Sequence, residues 1–300
     1  MRLLVITARF PTADRPAAGA FVRDRLVGSD ALVVAPRHYA GSGLDRSWSV
    51  ALRALTLRGR FDGVEGHFVL PTGPIALLAA RLRRVPLVVY AHGGDVRELA
   101  ERNPLLRWMA RLVVRAADAV ITNSAETAAL VERLGAAAEV LPPGIELSRF
   151  LAAPRPAQRR VLYLGGDLPH KGVDVARQLA DTLIGPGILE VDPAQIPALL
   201  AEHDVLLVPS LEEPYGLVAA EAIASGRWVV ARAVGGLQGI VTDGVNGTLV
   251  DDADFAAALA AVPDYDPAVV AATAERFAVE RHREGMAAVW ARVLSSRRAS

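Results

Sequence analysis

The chain alternates short continuous apolar runs with longer stretches in which apolar residues recur every three or four positions. Apolar runs bounded by turn residues suit strands buried on both faces, and the three-to-four spacing suits helices with one face in a core. In the first half this pattern predicts strands over 2–7, 31–35, 64–65, 86–90, 119–122 and 139–141. It predicts helices over 20–27, 48–58, 74–83, 105–116 and 125–134. In the second half strands are expected over 160–164, 188–191, 205–208 and 228–231. Helices are expected over 173–183, 194–201 and 217–225, and then near 255–261, 267–277 and 279–294. Pro142-Pro143-Gly144 stops the last strand of the first half, and 152–156, with Pro154 and Pro156, reads as a linker.

Strand–helix alternation on both sides of a linker predicts an α/β protein with two parallel-sheet domains, 1–155 and 156–278, and a final helical segment, 279–300. Two such domains make a cleft, and ligands of open parallel sheets bind beyond the carboxyl ends of the strands. The residues that follow strands are therefore the ones to inspect.

Composition narrows the chemistry. The 300 residues include no Cys, which excludes disulfides, thiolate metal sites and a Cys nucleophile. Lys+Arg and Asp+Glu both number 33, and a net charge of zero argues against nucleic-acid binding as a general function. The charge is unevenly placed: residues 1–150 hold 20 basic and 14 acidic side chains (+6), and residues 151–300 hold 13 and 19 (−6). The basic half is suited to an anionic acceptor or peripheral contact with a membrane surface. No apolar run approaches the roughly 18 residues of a membrane span. The opening residues, Met1 to Thr7, are too few for a signal-peptide core, so the chain reads as cytoplasmic.

The most informative stretch runs from Val205 to Gly226. A strand ends at Pro209, a loop carries Glu213, and a helix begins near Leu217. Gly216 permits close backbone approach. The amides of Gly216, Leu217 and Val218 would form an anion site at the helix start. Glu221 lies four residues past Leu217, on the same helix face. A carboxylate repels phosphate, so Glu213 and Glu221 are better suited to grip hydroxyl groups on either side of it. Hydroxyls, phosphate and further hydroxyls together describe a sugar nucleotide. The plainer reading of Glu221 is a favourable charge near the positive end of the helix dipole.

Glu213-x7-Glu221 with Pro214-Tyr215-Gly216-Leu217 between them resembles the signature of the retaining glycosyltransferases of family 4, which have the GT-B fold. Further segments resemble that family in order along nearly the whole chain. They are Arg9-Phe-Pro with Gly19, His67-Phe-Val-Leu-Pro-Thr72-Gly73, and Ala91-His92-Gly-Gly-Asp95. After these come Pro142–Phe150, Leu164–Gly172 with Lys171, and Gly235-Gly236 through Val250.

The resemblance implies two Rossmann-like domains facing across a cleft, with the last helix crossing back to the first domain. It implies sugar transfer from a nucleotide-diphosphate donor to an acceptor hydroxyl with retention, and no required metal or other cofactor. The acceptor expected from the resemblance is a glycolipid, a polysaccharide or a small molecule, with an anionic or lipid-linked one among the options; the residues do not name it. Lys171 would neutralise the diphosphate, Glu213 would hold the donor sugar and Glu221 the ribose. Tyr215, Gly216, Leu217, Val218 and Gly19 complete the donor set. His92 would sit near the reacting carbon. Arg9, His67 and Thr72 are candidates for the acceptor side.

Lys171 is the only lysine in the chain; the other 32 basic side chains are Arg. A compact ammonium in a Gly-rich loop suits a diphosphate. The family usually places an Arg where this chain has Gly166, and often a Glu where it has Gly239. The stretch between Lys171 and Asp204 is also shorter than the family's usual pair of strand–helix units. These departures keep two other readings open: a non-catalytic nucleotide-sugar-binding partner, and a nucleotide-sugar epimerase of the same fold. Other enzyme classes lack their motifs: there is no Gly-Lys-Ser/Thr of a P-loop, no Gly-x-Ser-x-Gly elbow and no His-Glu-x-x-His.

Overall fold

A computed structural model describes every residue except 17, 40–42, 98–102, 252–253 and 300. Contacts divide the chain into two units, Met1–Pro142 with His282–Ser300, and Pro143–Arg281.

The first unit is built on six parallel strands, β1 (Leu3–Thr7), β2 (Ala31–Val34), β3 (Gly63–His67), β4 (Leu87–Ala91), β5 (Ala119–Thr122) and β6 (Glu139–Val140). Their order is β2-β1-β3-β4-β5-β6. Side chains alternate across the sheet, as strand geometry requires. Leu4 and Ile6 of β1 point into the core beneath the helices Gly43–Thr56, Gly73–Arg83 and Pro104–Ala116. Leu3 and Val5 point the other way, with Val88 and Tyr90 of β4, into a core completed by Met286, Val289 and Trp290. Those three belong to the helix Val279–Ala299, whose residues from His282 onward are part of the first unit. Gly63 is required there, because a Cβ would lie 2.3 Å from the Trp290 ring.

The second unit has five parallel strands, β7 (Val161–Leu164), β8 (Thr182–Ile184), β9 (Val205–Val208), β10 (Trp228–Arg232) and β11 (Gly247–Val250), in the order β11-β10-β9-β7-β8. The helix Leu217–Ala224 buries Ala219, Ala220, Ala222, Ile223 and Ala224 in the same core as β9 and β10.

The structure departs from the sequence pattern at several points. The strand expected over 188–191 lies instead at Thr182–Ile184, and the preceding helix ends at Leu179. The cause is Asp181: its amide donates to the Val161 carbonyl (2.9 Å) and its carboxylate accepts the Val161 amide (2.7 Å), so the residues that follow fall into register beside β7. Strand β11 has no counterpart in the pattern, because only four residues follow a turn before pairing with β10. The helix expected over 267–277 splits into Pro267–Ala272 and a 3-10 turn, Thr273–Phe277.

The proline-bearing segment 152–156 is not a free linker. The buried Arg227 guanidinium donates to the carbonyls of Ala153 and Pro154, and Arg155 pairs with Asp204 at 2.8 Å. Ile145 and Phe150 are also buried in the second core, so the boundary falls at Pro142–Pro143 rather than near 155.

Candidate functional site

Each sheet has a topological switch point, where successive strands turn off in opposite directions. In the second unit β8 lies on one side of β7, and β9, β10 and β11 on the other. The loops after β7 and β9 flank this point. They are stitched together by the Leu211 amide, which donates to the His170 carbonyl at 2.8 Å. Gly172, with φ +70°, lies so close to Pro209 that a Cβ would be 2.3 Å from its carbonyl oxygen. This packing places the 3-10 turn Pro169–Lys171 against the Glu213 loop. Lys171 Nζ donates to Glu213 Oε2 at 2.8 Å, and Ser210 Oγ donates to the same oxygen at 3.4 Å.

Beyond Glu213 the chain turns through Gly216 (φ +98°), where a Cβ would lie 2.8 Å from Leu237 Cδ2. The helix Leu217–Ala224 then starts with no side-chain cap, so its first amides, including Leu217 and Val218, have no acceptor within the helix. Glu221 is half-buried on this helix. Tyr215 packs its side chain in the core, so any part it takes in binding falls to its backbone. Gly236 is pressed against that backbone, 2.3 Å from Tyr215 Cα to a Cβ at this position, and its amide donates to the Glu213 carbonyl at 2.9 Å. The Gly235-Gly236 pair therefore shapes the loop that holds Glu213.

In the first unit the switch point lies between β1 and β3, with β4 next to them. Arg9 follows β1, and Gly19 (φ +66°) packs on its carbonyl, 2.3 Å from a Cβ built there. His67 ends β3 and His92 follows β4. His67 Nδ1 and His92 Nε2 lie 3.0 Å apart, and the two rings stack on Tyr90. Behind them Glu65, fully buried on the same face of β3, accepts from His67 Nε2 at 2.8 Å, from Trp290 Nε1 at 3.1 Å and from Arg25.

This bonding fixes the tautomers. Glu65 accepts only, so His67 carries its proton on Nε2; its Nδ1 then accepts from Nε2–H of His92, which leaves the His92 Nδ1 lone pair available. Burial alone would raise the Glu65 pKa, but the Arg25 charge and the bonds from His67 and Trp290 outweigh it and hold the carboxyl at about 2. Burial, then competition with His67 for a proton and the positive field of Arg9, pushes His92 well below the usual imidazole value, so its ring is neutral. Burial likewise lowers His67. Asp95 accepts the amides of Val69 (2.6 Å) and His92 (2.9 Å), tying the two loops together, and burial raises it to about 6.

The structure thus brings Lys171, Glu213 and Gly216 together in one unit, and Arg9, Gly19, His67 and His92 in the other. Thr72 is sealed from solvent, with its hydroxyl donating to the His67 carbonyl at 2.5 Å; it braces His67 rather than facing an acceptor. Glu65, Arg25, Phe68, Trp290 and His282 complete the first cluster, and the sequence reading did not include them. Glu65 had a signal, a carboxylate inside an apolar strand two residues from His67 and hence on its face. Phe68 had none: it adopts φ +73° and lays its ring 4.4 Å from that of His92.

The sequence also contains two Asp-x-Asp triplets, of the kind that can hold a metal-bound diphosphate. In one, Asp264 pairs with Arg155 and Asp266 caps the helix Pro267–Ala272. In the other, Asp254 caps Phe255–Ala260 and Asp252 lies outside the described residues.

Two switch-point clusters on two Rossmann-like parallel sheets define a protein of the GT-B class. Over 99% of its length the chain matches sucrose-phosphate synthase from Thermosynechococcus elongatus, covering 100% of that structure with a TM-score of 0.75 at 19% identity, a likeness of fold. Residues 3–149 match the model of Glycosyltransferase Family 4, and residues 146–263 that of Glycosyl transferases group 1. A D-inositol 3-phosphate glycosyltransferase from Geodermatophilus obscurus is 34% identical over an alignment that covers 68% of this chain and 60% of that protein. One from Acidothermus cellulolyticus is 30% identical, with 96% of this chain and 80% of the relative covered. The chain belongs to glycosyltransferase family 4.

Proposed function

We propose that this protein transfers a sugar from a nucleotide-diphosphate donor to a hydroxyl of an anionic acceptor, with retention at the anomeric carbon and without a metal. The observation that supports this most is the Lys171–Glu213 pair at the switch point beside the uncapped start of the helix Leu217–Ala224. An ammonium and free amides suit a leaving diphosphate, whose charge grows as the glycosidic bond breaks. Glu213, released by Lys171, suits sugar hydroxyls, and Glu221 suits the ribose. In the first unit, neutral His92 offers a lone pair to the reacting sugar or the acceptor hydroxyl, and Arg9 offers countercharge to an anionic acceptor. The relatives are named for inositol 3-phosphate, and a phosphorylated polyol is the acceptor class we infer.

In this reaction the bond from the anomeric carbon to the diphosphate oxygen breaks, with its electron pair leaving on the diphosphate. The acceptor oxygen bonds to that carbon on the same face, and the acceptor proton passes to the departing phosphate.

The test is a thermal-shift screen of UDP-, GDP- and ADP-sugars, followed by a transfer assay on phosphorylated polyols with and without EDTA. Bound donor raises stability by mass action. Donor binding with neither transfer nor hydrolysis would favour the non-catalytic partner that Gly166 brings to mind. Turnover of donor without an acceptor and without free sugar would favour an epimerase. Loss of transfer in EDTA, restored by Mg²⁺, would overturn the metal-free mechanism.

A further inference from the structure

Three helices lie side by side over one face of the first unit's sheet: Gly73–Arg83 contacts Gly43–Thr56 on one side and Pro104–Ala116 on the other. Each has a fully buried residue near its middle, Val50, Ala80 and Ala110. Residues two positions either side of a buried one are turned about 200° away, to the outermost line of the helix. A surface helix normally carries polar side chains there. Here those positions hold Trp48 and Leu52, Leu78 and Leu82, and Trp108 and Leu112, all exposed, with Trp48 at 74% and Trp108 at 60%. Such apolar ridges on three neighbouring helices far exceed the scattered apolar residues of an ordinary surface.

The same face is basic. Arg81, Arg107 and Arg111 are exposed on these helices, and the exposed Arg58 and Arg84 follow just after the ends of two of them. Neither Gly73–Arg83 nor Pro104–Ala116 contains an Asp or Glu.

We propose that this three-helix face docks on an anionic lipid bilayer, with its Trp and Leu side chains at the headgroup–acyl boundary and its arginines on lipid phosphates. Tryptophan and basic side chains are the residues that settle at that boundary, and Arg reaches phosphate while its stem stays on apolar surface. A second copy of the chain is a poorer occupant. A two-fold contact would lay the same arginines against each other with no carboxylate from the two fully described helices between them. Docking is in the plane of the bilayer, since no described helix is long and apolar enough to cross it. The proposal is independent of the transfer reaction and needs no substrate for its test.

The experiment is co-flotation of the full chain with vesicles of phosphatidylcholine containing about one-third phosphatidylglycerol, beside vesicles of phosphatidylcholine alone. Binding to the anionic vesicles is expected to be at least about tenfold tighter and to fall several-fold at about 0.5 M salt. Trp108→Ser with Leu112→Ser should weaken it by on the order of tenfold, and Arg107→Glu with Arg111→Glu should remove the preference for anionic lipid. Val269→Ser, at an exposed apolar position of the other unit, should change nothing. On the unsubstituted protein, quenching of tryptophan emission by brominated lipid should report insertion. Equal binding to both vesicles, no binding, or no quenching would overturn the proposal. So would a dimer in sedimentation that the Trp108/Leu112 variant dissociates while vesicles stay unbound, which would assign the face to a second copy.

Discussion

Lys171 and Glu213 are joined by an ion pair of 2.8 Å, and each comes from the loop after one of two neighbouring strands, β7 and β9. Neither loop could place its charge alone. The Leu211-to-His170 hydrogen bond and the close packing of Gly172 on Pro209 set both loops at the distance this pair needs. On the function proposed above, donor binding would exchange these partners, the ammonium going to phosphate and the carboxylate to hydroxyls.

Removal of Lys171 should therefore act on turnover more than on ground-state binding, because the charge it meets develops as the bond breaks. Lys171→Ala is expected to lower kcat by on the order of 100-fold. Lys171→Arg should not fully restore it, because a planar fork cannot replace a compact ammonium in this tight turn. Steady-state kinetics beside the unsubstituted enzyme decides. Parental turnover in both variants would mean that the diphosphate cation lies elsewhere.

Gly166 has an ordinary backbone angle, and the nearest atom to a Cβ there is 3.5 Å away, on Leu168. The position can therefore accept a side chain. Gly166→Arg is expected to fold and to tighten binding of the free nucleoside diphosphate by up to about tenfold, as a second charge-assisted partner would. Calorimetric titration measures this, and weaker binding would show that the loop has no use for a second cation.

Glu221 on the helix Leu217–Ala224 is expected to anchor the ribose. Glu221→Ala should weaken both the donor and the free nucleotide by about 1–3 kcal/mol, the range for losing a charged hydrogen-bond partner. Unchanged affinity for the free nucleotide in the same titration would assign the residue to the helix dipole alone.

Glu65 does not reach solvent, so it can act on a ligand only through its buried partners, of which His67 leads on to His92 and Arg25 and Trp290 hold the carboxylate in place. Glu65→Gln keeps the size but removes the charge that fixes the His67 proton on Nε2. It is expected to lower kcat by on the order of tenfold with little change in donor KM, since orientation and not binding is disturbed. Nitrogen chemical shifts of His92 should then show a mixture of tautomers where the parent shows one. A variant with reduced stability but a parental His92 spectrum would leave Glu65 with a packing role only.

The buried histidines also predict a direction for acid stability. His282, bonded to the Pro142 carbonyl at 2.8 Å, is lowered to about 4, chiefly by burial and then by Arg25. The unfolded chain binds protons near pH 6.5 where this folded site does not, so stability falls as pH drops from about 6.5 toward 4, at up to roughly 1.4 kcal/mol per pH unit for each such histidine. His67 and His92 act in the same direction. Asp95, raised to about 6, opposes them, and Glu65 adds its own loss only below the ordinary carboxyl range. Urea midpoints between pH 7.5 and about 4 should show the decline, with a shallower slope in His282→Gln. Equal slopes would mean that His282 is protonated in the folded protein.

The order of strands and helices was legible because buried parallel strands must be apolar runs and their covering helices must be amphipathic. Apolar periodicity placed β1, β4, β5, β7, β9 and β10 within a residue or two. Glu213, Gly216, Glu221 and Lys171 stood out as polar or glycine residues at strand and helix ends, where backbone geometry leaves amides open. Strand β8 was placed wrongly because its position depends on Asp181 bonding across to Val161, a contact between distant residues that leaves no period in the sequence. The unit boundary was displaced for the same reason: Arg227 holds the carbonyls of Ala153 and Pro154, and nothing local in 152–156 announces it.

The sequence by itself thus determined the two-sheet α/β class and the family, and it singled out the residues proposed for the donor loop, since these rest on local spacing, ordered motifs and turn chemistry. Tertiary structure alone decided that Lys171 pairs with Glu213 and that Thr72 is a brace. It also decided that Glu65, His67 and His92 form one hydrogen-bonded line, and that the apolar ridges of three helices share a face. Each of these depends on strand order, and strand order is set by long-range packing, which brings together residues that no sequence period connects.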